Sequence, residues 1–421
     1  MLPRVHFNLF GIVACLMFSG CVLGPKSLQH SRSNYNLAVQ QTAREEMLLN
    51  LVRLKYHQSE EFIRIPSITG QFTYDAKLGS SGAWQEGAAT KFGLSLGLGA
   101  TSKPTIVYTP EQAQEFNRRL LSPIGLETID LLTSKGWAFN RVLRVTVRNI
   151  NDVDNATSAG GPTPDLKPEF EEFKYLADLL RDLQKHGRQI EIAYEDQVTS
   201  EPSQLSDEIP ADTLEMEDVI LAAEKGYEIR LSEDGLTQSL WTQESTEQVL
   251  ILMVAPEAHS SRQMQEVRQI LELTADETAY RLRPDTNGQL AHPHHSRSAD
   301  LAANPDRKDL TVSTRSLKEI MFYLSHGISV PCDDIENGYV QSTFDYEGQP
   351  FDWNEMTGDL FQVKVHRKRP HDAAVAVKYR DHWFYIPECD LDSKSTFNLL
   401  LELFNLEIRA GGGAQIPLLT I

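Results

Sequence analysis

The chain has 421 residues, with 40 lysine and arginine residues, 59 aspartate and glutamate residues and a formal net charge of −19. A protein of this charge is repelled by nucleic acid and by anionic lipid headgroups, so the composition argues against electrostatic binding to either. The length is sufficient for two or three domains, each with its own hydrophobic core.

The first twenty residues have the pattern of a bacterial signal peptide. Arg4 is followed by a mostly apolar run, and the small residues of FSGC (18–21) come next. FSGC resembles a lipobox, in which the cysteine thiol receives a diacylglyceryl group before cleavage and acylation of the new amino group. Several acyl chains on one residue are enough for stable anchoring. We therefore predict a signal peptide over 1–20 and lipidation of Cys21; an uncleaved membrane helix and a chance cysteine are the alternatives.

A tether and a helix are predicted after the signal peptide. Residues 21–34 are predicted to form the lipidated tether. Residues 35–56 carry the longest helical pattern, with apolar side chains clustered toward the second half. Packing of this amphipathic helix on the core of its own domain is the favoured interpretation, and docking of a partner is the alternative.

Two alternating segments predict a β-hairpin over 66–103. Each alternates apolar with small or polar residues, which is the period of a strand. A strand running through GLSLG (93–97) excludes the sharp turn that a serine-hydrolase nucleophile needs. Arms of about nine to eleven residues are long enough to cross an outer membrane, so hairpins from several subunits could line an oligomeric pore. The favoured alternative is a hairpin packed on its own domain.

Three polar segments divide the mature chain. Residues 151–168 predict a linker, residues 195–218 predict an acidic mobile loop, and residues 284–309 predict a second polar loop. The regions between them are predicted to be structured and span residues 35–150, 169–283 and 310–421.

The remaining pattern predicts an α+β fold, with short helices packed on small, mostly antiparallel sheets in two or three subdomains. Four helical segments end in a glycine that can take the left-handed conformation, namely Gly136, Gly187, Gly226 and Gly327. Strands are predicted at LRVTVRNI (143–150), EQVLILMVA (247–255), DLFQVKV (359–365), AAVAVKY (373–379) and HWFYIP (382–387).

Few residues suggest a specific chemistry. Cys332 and Cys389 could form one disulfide or remain two separate buried thiols. The histidines of AHPHHS (291–296) could bind a metal ion, but their spacing and their proline favour a surface loop. We predict no catalytic residue, no metal site and no cofactor.

Two charged segments have both structural and functional interpretations. HRKRPH (366–371) favours a solvated hairpin turn between FQVKV and AAVAVKY over a site for phosphate groups or an acidic partner. ECDLDSKSTF (388–397) favours the N-terminal cap of a helix over a cation site.

Four segments together resemble an uncharacterised family of Gram-negative cell-envelope lipoproteins: YNLAVQQTAREEMLLNLVRLKY (35–56), KPTIVYTPEQAQEFNRRLLSPI (103–124), QPFDWNEMTGDLFQV (349–363) and AVAVKYRDHWFYIPECDLDSKSTFNLLLELF (374–404). The similarity covers roughly the first 130 mature residues and the last 110. It implies a lipidated envelope protein and supplies no activity, substrate or catalytic residue. Val22 after the cysteine is similar to lipoproteins sorted to the outer membrane.

The sequence thus predicts a lipoprotein anchored to the outer membrane and facing the periplasm. We expect a non-catalytic binding or assembly component that binds another envelope protein or a further copy of itself. One alternative is a subunit of an oligomeric outer-membrane pore that contributes the 66–103 hairpin. A second is an envelope hydrolase with a site assembled from distant residues, around Asp390 and Asp392.

Overall fold

The chain has an α+β fold, as the sequence predicts. The computed structural model describes residues 20–69, 72–82, 92–102, 105–111, 114–185, 189–200, 202–211, 213, 216–232, 234–242, 245–274, 277–285 and 308–409. The helices in this part of the chain are α1 Gly20–Lys55, α2 Gln114–Leu121, α3 Leu126–Ser134, α4 Phe139–Thr146, α5 Glu171–Lys185, α6 Met216–Glu224, α7 Arg262–Leu271, α8 Leu317–Ser325, α9 Cys332–Glu336, α10 Asn354–Thr357 and α11 Leu391–Phe404.

Sixteen strands are described, most of them in antiparallel pairs. They are β1 Ile63–Thr69, β2 Phe72–Gly82, β3 Phe92–Ser102, β4 Thr105–Pro110, β5 Val147–Ile150, β6 Val153–Asp154, β7 Ile190–Ser200, β8 Ile209–Pro210, β9 Tyr227–Leu231, β10 Thr237–Thr242, β11 Ser245–Val254, β12 Ala279–Pro284, β13 Asp309–Thr314, β14 Lys364–His366, β15 Ala373–Tyr379 and β16 His382–Pro387.

The chain divides into two compact units, and each is built from separate segments. Unit 1 comprises Met1–Leu121, Ile328–Val340 and Gln362–Ile421, whereas unit 2 comprises Ser122–Gly327 and Gln341–Phe361. The regions predicted from the sequence are continuous, because their boundaries were placed at polar segments along the chain, and they therefore differ from this division. Which distant segments share a core depends on long-range packing, which composition does not record.

Unit 2 contains a six-stranded mixed sheet in the order β6-β5-β13-β12-β11-β7. β12 and β13 run parallel and the other neighbours run antiparallel. Helix α5 packs against α4 and α7, and its buried residues Phe173 and Leu176 contribute to the core of the unit. A smaller sheet in the order β8-β10-β9 carries α6 against β9.

The linker predicted at 151–168 is wrong, because this segment lies inside unit 2. It contains β6 and a 3₁₀ turn, and Ala156 and Ala159 are fully buried. The Asn155 side chain donates hydrogen bonds to the carbonyls of Arg144 and Val147. The asparagine that suggested a solvated linker thus satisfies buried backbone groups.

The acidic loop predicted at 195–218 is partly a strand. β7 continues to Ser200 and pairs along its whole length with β11. Farther on, the segment contains β8, and α6 begins at Met216. Most of the polar loop predicted at 284–309 lies outside the described residues.

Two predicted strands are shorter in the structure than in the sequence pattern. In LRVTVRNI, residues 143–146 form the end of helix α4, and only residues 147–150 form a strand. In DLFQVKV, only residues 364 and 365 belong to a strand. The segments EQVLILMVA, AAVAVKY and HWFYIP are confirmed as β11, β15 and β16, apart from one terminal residue of the first.

The helix-ending glycines have two different roles. Gly136 and Gly226 have φ angles of +98° and +78°, which confirms the predicted left-handed conformation. Gly327 lacks a positive φ angle; an added Cβ atom there would lie 2.3 Å from the carbonyl oxygen of Phe361, so the glycine allows close backbone approach. Gly187 lies outside the described residues.

Unit 1 is organised around the second half of α1. Five apolar residues of this half are buried, namely Met47, Leu48, Leu51, Val52 and Leu54. The prediction that this face packs in a core is therefore confirmed. The helix begins at Gly20, so it includes the predicted tether at 21–34. Among the described residues, no helix has both the length and the apolar character needed to cross a membrane.

The predicted hairpin is confirmed as an antiparallel pair. β2 and β3 pair from Phe72 opposite Ser102 to Gly82 opposite Phe92. Next to this hairpin, β1 and β4 form a second antiparallel pair, in which Thr69 lies opposite Thr105. At this end the register of β1 and β4 continues that of β2 and β3. We refer to strands β1 to β4 together as the ribbon.

Candidate functional site

A cleft in unit 1 lies between helix α1 and strand β15. The three-stranded sheet has the order β14-β16-β15, so β15 is at its edge, and α1 packs against it. The volume of the cleft is about 680 Å³, within the range of small-ligand sites. Its lining includes Leu37, Gln41 and Arg44 of α1, Arg369 and His371 of the preceding segment, and Ala374 of β15. We call this site the α1–β15 cleft.

The strand order places the basic segment HRKRPH at the cleft and corrects its predicted structure. β14 and β15 both pair antiparallel with β16, which lies between them. The two strands are therefore parallel, so the segment is a crossover and the predicted hairpin turn is wrong. The Arg369 guanidinium lies over the ring of Trp383, 5.1 Å from its centre, which holds this residue against the sheet.

Two arginines make the cleft cationic. Arg44 is half-buried, with its guanidinium 5.8 Å from the centre of the Phe397 ring. Its Nε atom is buried and has no hydrogen-bond partner within the described part of the chain. The nearby carboxylate of Glu45 accepts a hydrogen bond of 2.9 Å from Gln41. The cleft thus contains two arginines and one glutamate in a protein with a net charge of −19.

Small residues of β15 line the cleft. Val375 and Val377 are buried in unit 1, whereas Ala374 and Ala376 alternate with them and are half-exposed. In the described residues, β15 pairs on one side only, with β16. The outer edge of a strand presents unpaired backbone N–H and C=O groups.

A second cavity, of about 380 Å³, lies in unit 2 between α6 and the sheet β8-β10-β9. Its lining is mostly apolar and includes Leu221, Ile229 and Leu240. Met216 and Ile220 of α6 are exposed. The charged residues of this lining are Lys225 and Asp218, whereas two arginines line the α1–β15 cleft.

The structure decides between the alternatives for the later cysteines. Cys332 and Cys389 are both free and both exposed. The possible disulfide is therefore not formed, and the alternative of two buried thiols is also wrong. The Cys21 backbone lies in α1, but its side chain is outside the described residues, as are the histidines of AHPHHS.

The capping interpretation of ECDLDSKSTF is confirmed. Asp390 precedes α11, and its carboxylate accepts hydrogen bonds from the Ser393 N–H at 3.0 Å and the Ser393 hydroxyl at 2.7 Å. Asp390 therefore satisfies a free N–H group at the start of the helix. No group of three or more His, Cys, Asp or Glu residues suitable for a metal ion occurs in the part of the chain that the structure describes.

One cluster, just after the ends of α1 and β15, has no signal in the sequence. The Tyr56 hydroxyl donates a hydrogen bond of 2.5 Å to Asp334, and the Arg380 guanidinium lies over the rings of Tyr56 and Tyr339. Burial and the Asp334 hydrogen bond both raise the pKa of Tyr56. The cluster fixes the residue after α1 against Asp334 of α9, which is 278 positions away in the sequence.

Comparison of the chain with protein-family profiles, with curated proteins and with solved structures gives no match.

Proposed function

We propose that the protein is a lipid-anchored binding component of the Gram-negative cell envelope. Acyl chains on Cys21 hold it at the outer membrane, facing the periplasm, where it binds another envelope protein or a further copy of itself. The observation that carries this proposal is helix α1, which begins at Gly20 and also supplies one wall of the α1–β15 cleft. The anchored element is thus also part of the candidate binding site.

The chemistry of the cleft favours binding over catalysis. Arg44 and Arg369 present guanidinium groups with forked donors, which suit recognition of carboxylates more than proton transfer. Asp390, the centre of the alternative hydrolase site, is engaged in capping α11. We therefore propose a non-catalytic role.

Loss of the anchor should release the protein from the membrane. We expect Cys21→Ser, placed behind a signal peptide that ordinary signal peptidase cleaves, to abolish palmitate labelling and move the protein into the soluble periplasmic fraction. The acidic surface has no electrostatic affinity for anionic lipid that could replace the acyl chains. Palmitate labelling and cell fractionation measure both effects.

Cys389→Ser is the matched control for this experiment, because Cys389 is an exposed free thiol. It should remain labelled and membrane-bound. An unlabelled Cys21→Ser protein that still sediments with outer membranes would contradict anchoring by lipid alone.

A second candidate function is insertion of the ribbon into the membrane within an oligomeric pore. At the base of the ribbon, Ile63, Val107 and Tyr108 are exposed. A two-stranded ribbon alone is marginally stable in water, so these exposed apolar residues favour a covering environment. The eleven-residue strands β2 and β3 match the length of a tilted transmembrane strand, and Leu78 lies opposite Leu96.

Opposite faces of β3 provide the test of the pore. If the leucine face meets lipid, Leu96→Arg should reduce cross-linked oligomers in membranes by about tenfold or more, because it places a charge in an apolar band. Ser95→Arg, one residue away on the other face, should be tolerated. Melting of the detergent-purified protein should not change. A large fall in melting temperature for Leu96→Arg, with oligomers retained, would instead show a ribbon packed on its own unit.

A further inference from the structure

We propose that the α1–β15 cleft binds an extended acidic peptide segment of a partner protein, which adds to the sheet as a strand beside β15. This inference rests on the proposed binding function and names the class of ligand. It follows from three properties of the cleft in the described residues: a strand edge without a paired neighbour, two walls of similar length, and two arginines without an ion pair.

The free edge supplies the main-chain contacts. β15 pairs only with β16 in the described structure, and its residues 373–376 line the cleft. A groove between an edge strand and a helix is a recurring site for an added peptide strand, in which backbone hydrogen bonds provide affinity. Ala374 and Ala376 line the cleft, and both are half-exposed.

The two walls have similar lengths. The α1 lining runs from Leu37 to Glu45, which is about 12 Å at the rise of a helix. The β15 lining covers residues 373–376, or about 10 Å at the rise of a strand. The cleft therefore accommodates about four residues of extended peptide.

The charges select an acidic sequence. Arg44 lies on the helical wall and Arg369 beside the start of β15, and neither forms an ion pair in the part of the chain described. Guanidinium groups bind carboxylates through two parallel hydrogen bonds. Glu45 is the acidic residue in the lining, and its hydrogen bond with Gln41 directs it to its own helix. A single phosphate group would use the cations but leave the strand edge unpaired, so a peptide fits better.

The first test uses three labelled octapeptides and fluorescence anisotropy with the detergent-purified full chain. We expect a peptide of alternating valine and glutamate to bind, and its valine–lysine counterpart to bind at least about tenfold more weakly. The valine–glutamate peptide methylated on alternate backbone nitrogens keeps every charge but loses donors for the strand edge, so its affinity should also fall by about tenfold or more. Equal binding of the acidic and basic peptides, or no effect of methylation, would overturn the proposal.

The second test uses two arginines from one segment. Arg369→Glu should weaken binding of the acidic peptide by about tenfold or more. Arg367→Glu makes the same charge change two residues away, at a side chain that is 80% exposed and outside the cleft lining, and should change affinity by less than about twofold. Equal losses in the two variants would indicate a nonspecific charge effect and overturn the proposal. Melting temperatures verify that both variants fold.

A competition experiment separates peptide from lipid. Phosphatidylglycerol vesicles that displace the acidic peptide as effectively as unlabelled peptide would identify a headgroup site and overturn the inference. Absence of peptide binding in a protein that still incorporates palmitate at Cys21 would refute this ligand class alone. Loss of the anchoring result, in contrast, would refute the proposed envelope function.

Discussion

Replacement of Arg315 by methionine is expected to lower the free energy of unfolding by about 4 kcal/mol, because several buried carbonyl groups lose their donor together. Arg315 is fully buried. Its guanidinium donates hydrogen bonds to the carbonyls of Arg144 and Val147, both at 2.8 Å, and to that of Val145 at 3.3 Å. It also donates to the carbonyl of Asn155.

The position of these carbonyls explains the size of the effect. Helix α4 ends at Thr146 and continues directly into β5, so its last carbonyls have no partner within the helix. A cation at this end also interacts favourably with the helix dipole. Burial lowers the pKa of Arg315 to about 10, so the side chain keeps its charge at neutral pH. Its guanidinium also lies 4.1 Å from the centre of the Tyr323 ring.

Chemical denaturation of the purified protein measures the change at Arg315. Arg283→Met is the matched control, because Arg283 is 53% exposed and its ion pair with Asp309 lies at the surface. This control should cost less than about 1 kcal/mol. A similarly small effect of Arg315→Met would show that water or neighbouring groups can replace the guanidinium as hydrogen-bond donors to these carbonyls.

Asp359→Asn is expected to lower the free energy of unfolding by about 3 kcal/mol, because it leaves the Arg144 charge buried without its partner. The two terminal nitrogens of the Arg144 guanidinium each donate a hydrogen bond of 2.9 Å to the Asp359 carboxylate. One of them also donates to the carbonyl of Met356. The Arg144 side chain is 3% exposed and that of Asp359 is 50% exposed. Because solvent reaches the Asp359 carboxylate, we expect a loss of unfolding free energy at the lower end of the range for buried ion pairs.

The same carboxylate predicts a pH dependence. Burial raises the pKa of Asp359, but the hydrogen bonds and charge of Arg144 outweigh this effect and lower the pKa to about 2. A carboxyl group with a lowered folded-state pKa stabilises the fold fully above its unfolded pKa of about 4. This contribution is lost as the pH falls from about 4 to about 2.

Unfolding free energies at several pH values therefore test the Asp359 pair. The difference between the unmodified protein and Asp359→Asn should be largest near neutral pH and shrink below about pH 4. Asp309→Asn breaks the exposed pair with Arg283 and should cost less than about 1 kcal/mol. If the loss of unfolding free energy in Asp359→Asn is the same at every pH, the carboxylate charge is excluded as its cause.

The parts of the fold that the sequence predicts correctly are those governed by local patterns. Apolar spacing in residues 35–56 identifies the buried half of α1, and alternation identifies the pairing of β2 with β3. Asp390 ahead of an apolar helical run identifies the cap of α11. In each of these elements the deciding residues lie within one element or one hairpin, so a short window contains the necessary information.

The candidate site could be predicted only in part. HRKRPH stands out as a basic segment in an acidic chain, and an acidic partner is one of its interpretations. Its partner wall, at Leu37 to Glu45 of α1, is more than 300 positions away. The pattern around β14 and β15 also suggests a hairpin, because adjacent strands often pair; insertion of β16 between them creates the crossover and leaves β15 at the edge.

The sequence by itself determined the α+β class, most helices, the pairing of β2 with β3 and the position of the lipobox-like cysteine. Tertiary structure decided that residues 143–146 are helical although they alternate like a strand, since Arg315 and Asn155 supply donors to the exposed end of α4. It also decided the composition of the two units and the cleft beside β15. Local patterns record which face of an element is apolar. The free backbone N–H and C=O groups of an element are paired by residues that are distant in the sequence. Those residues are fixed only by contacts that form when the whole chain packs.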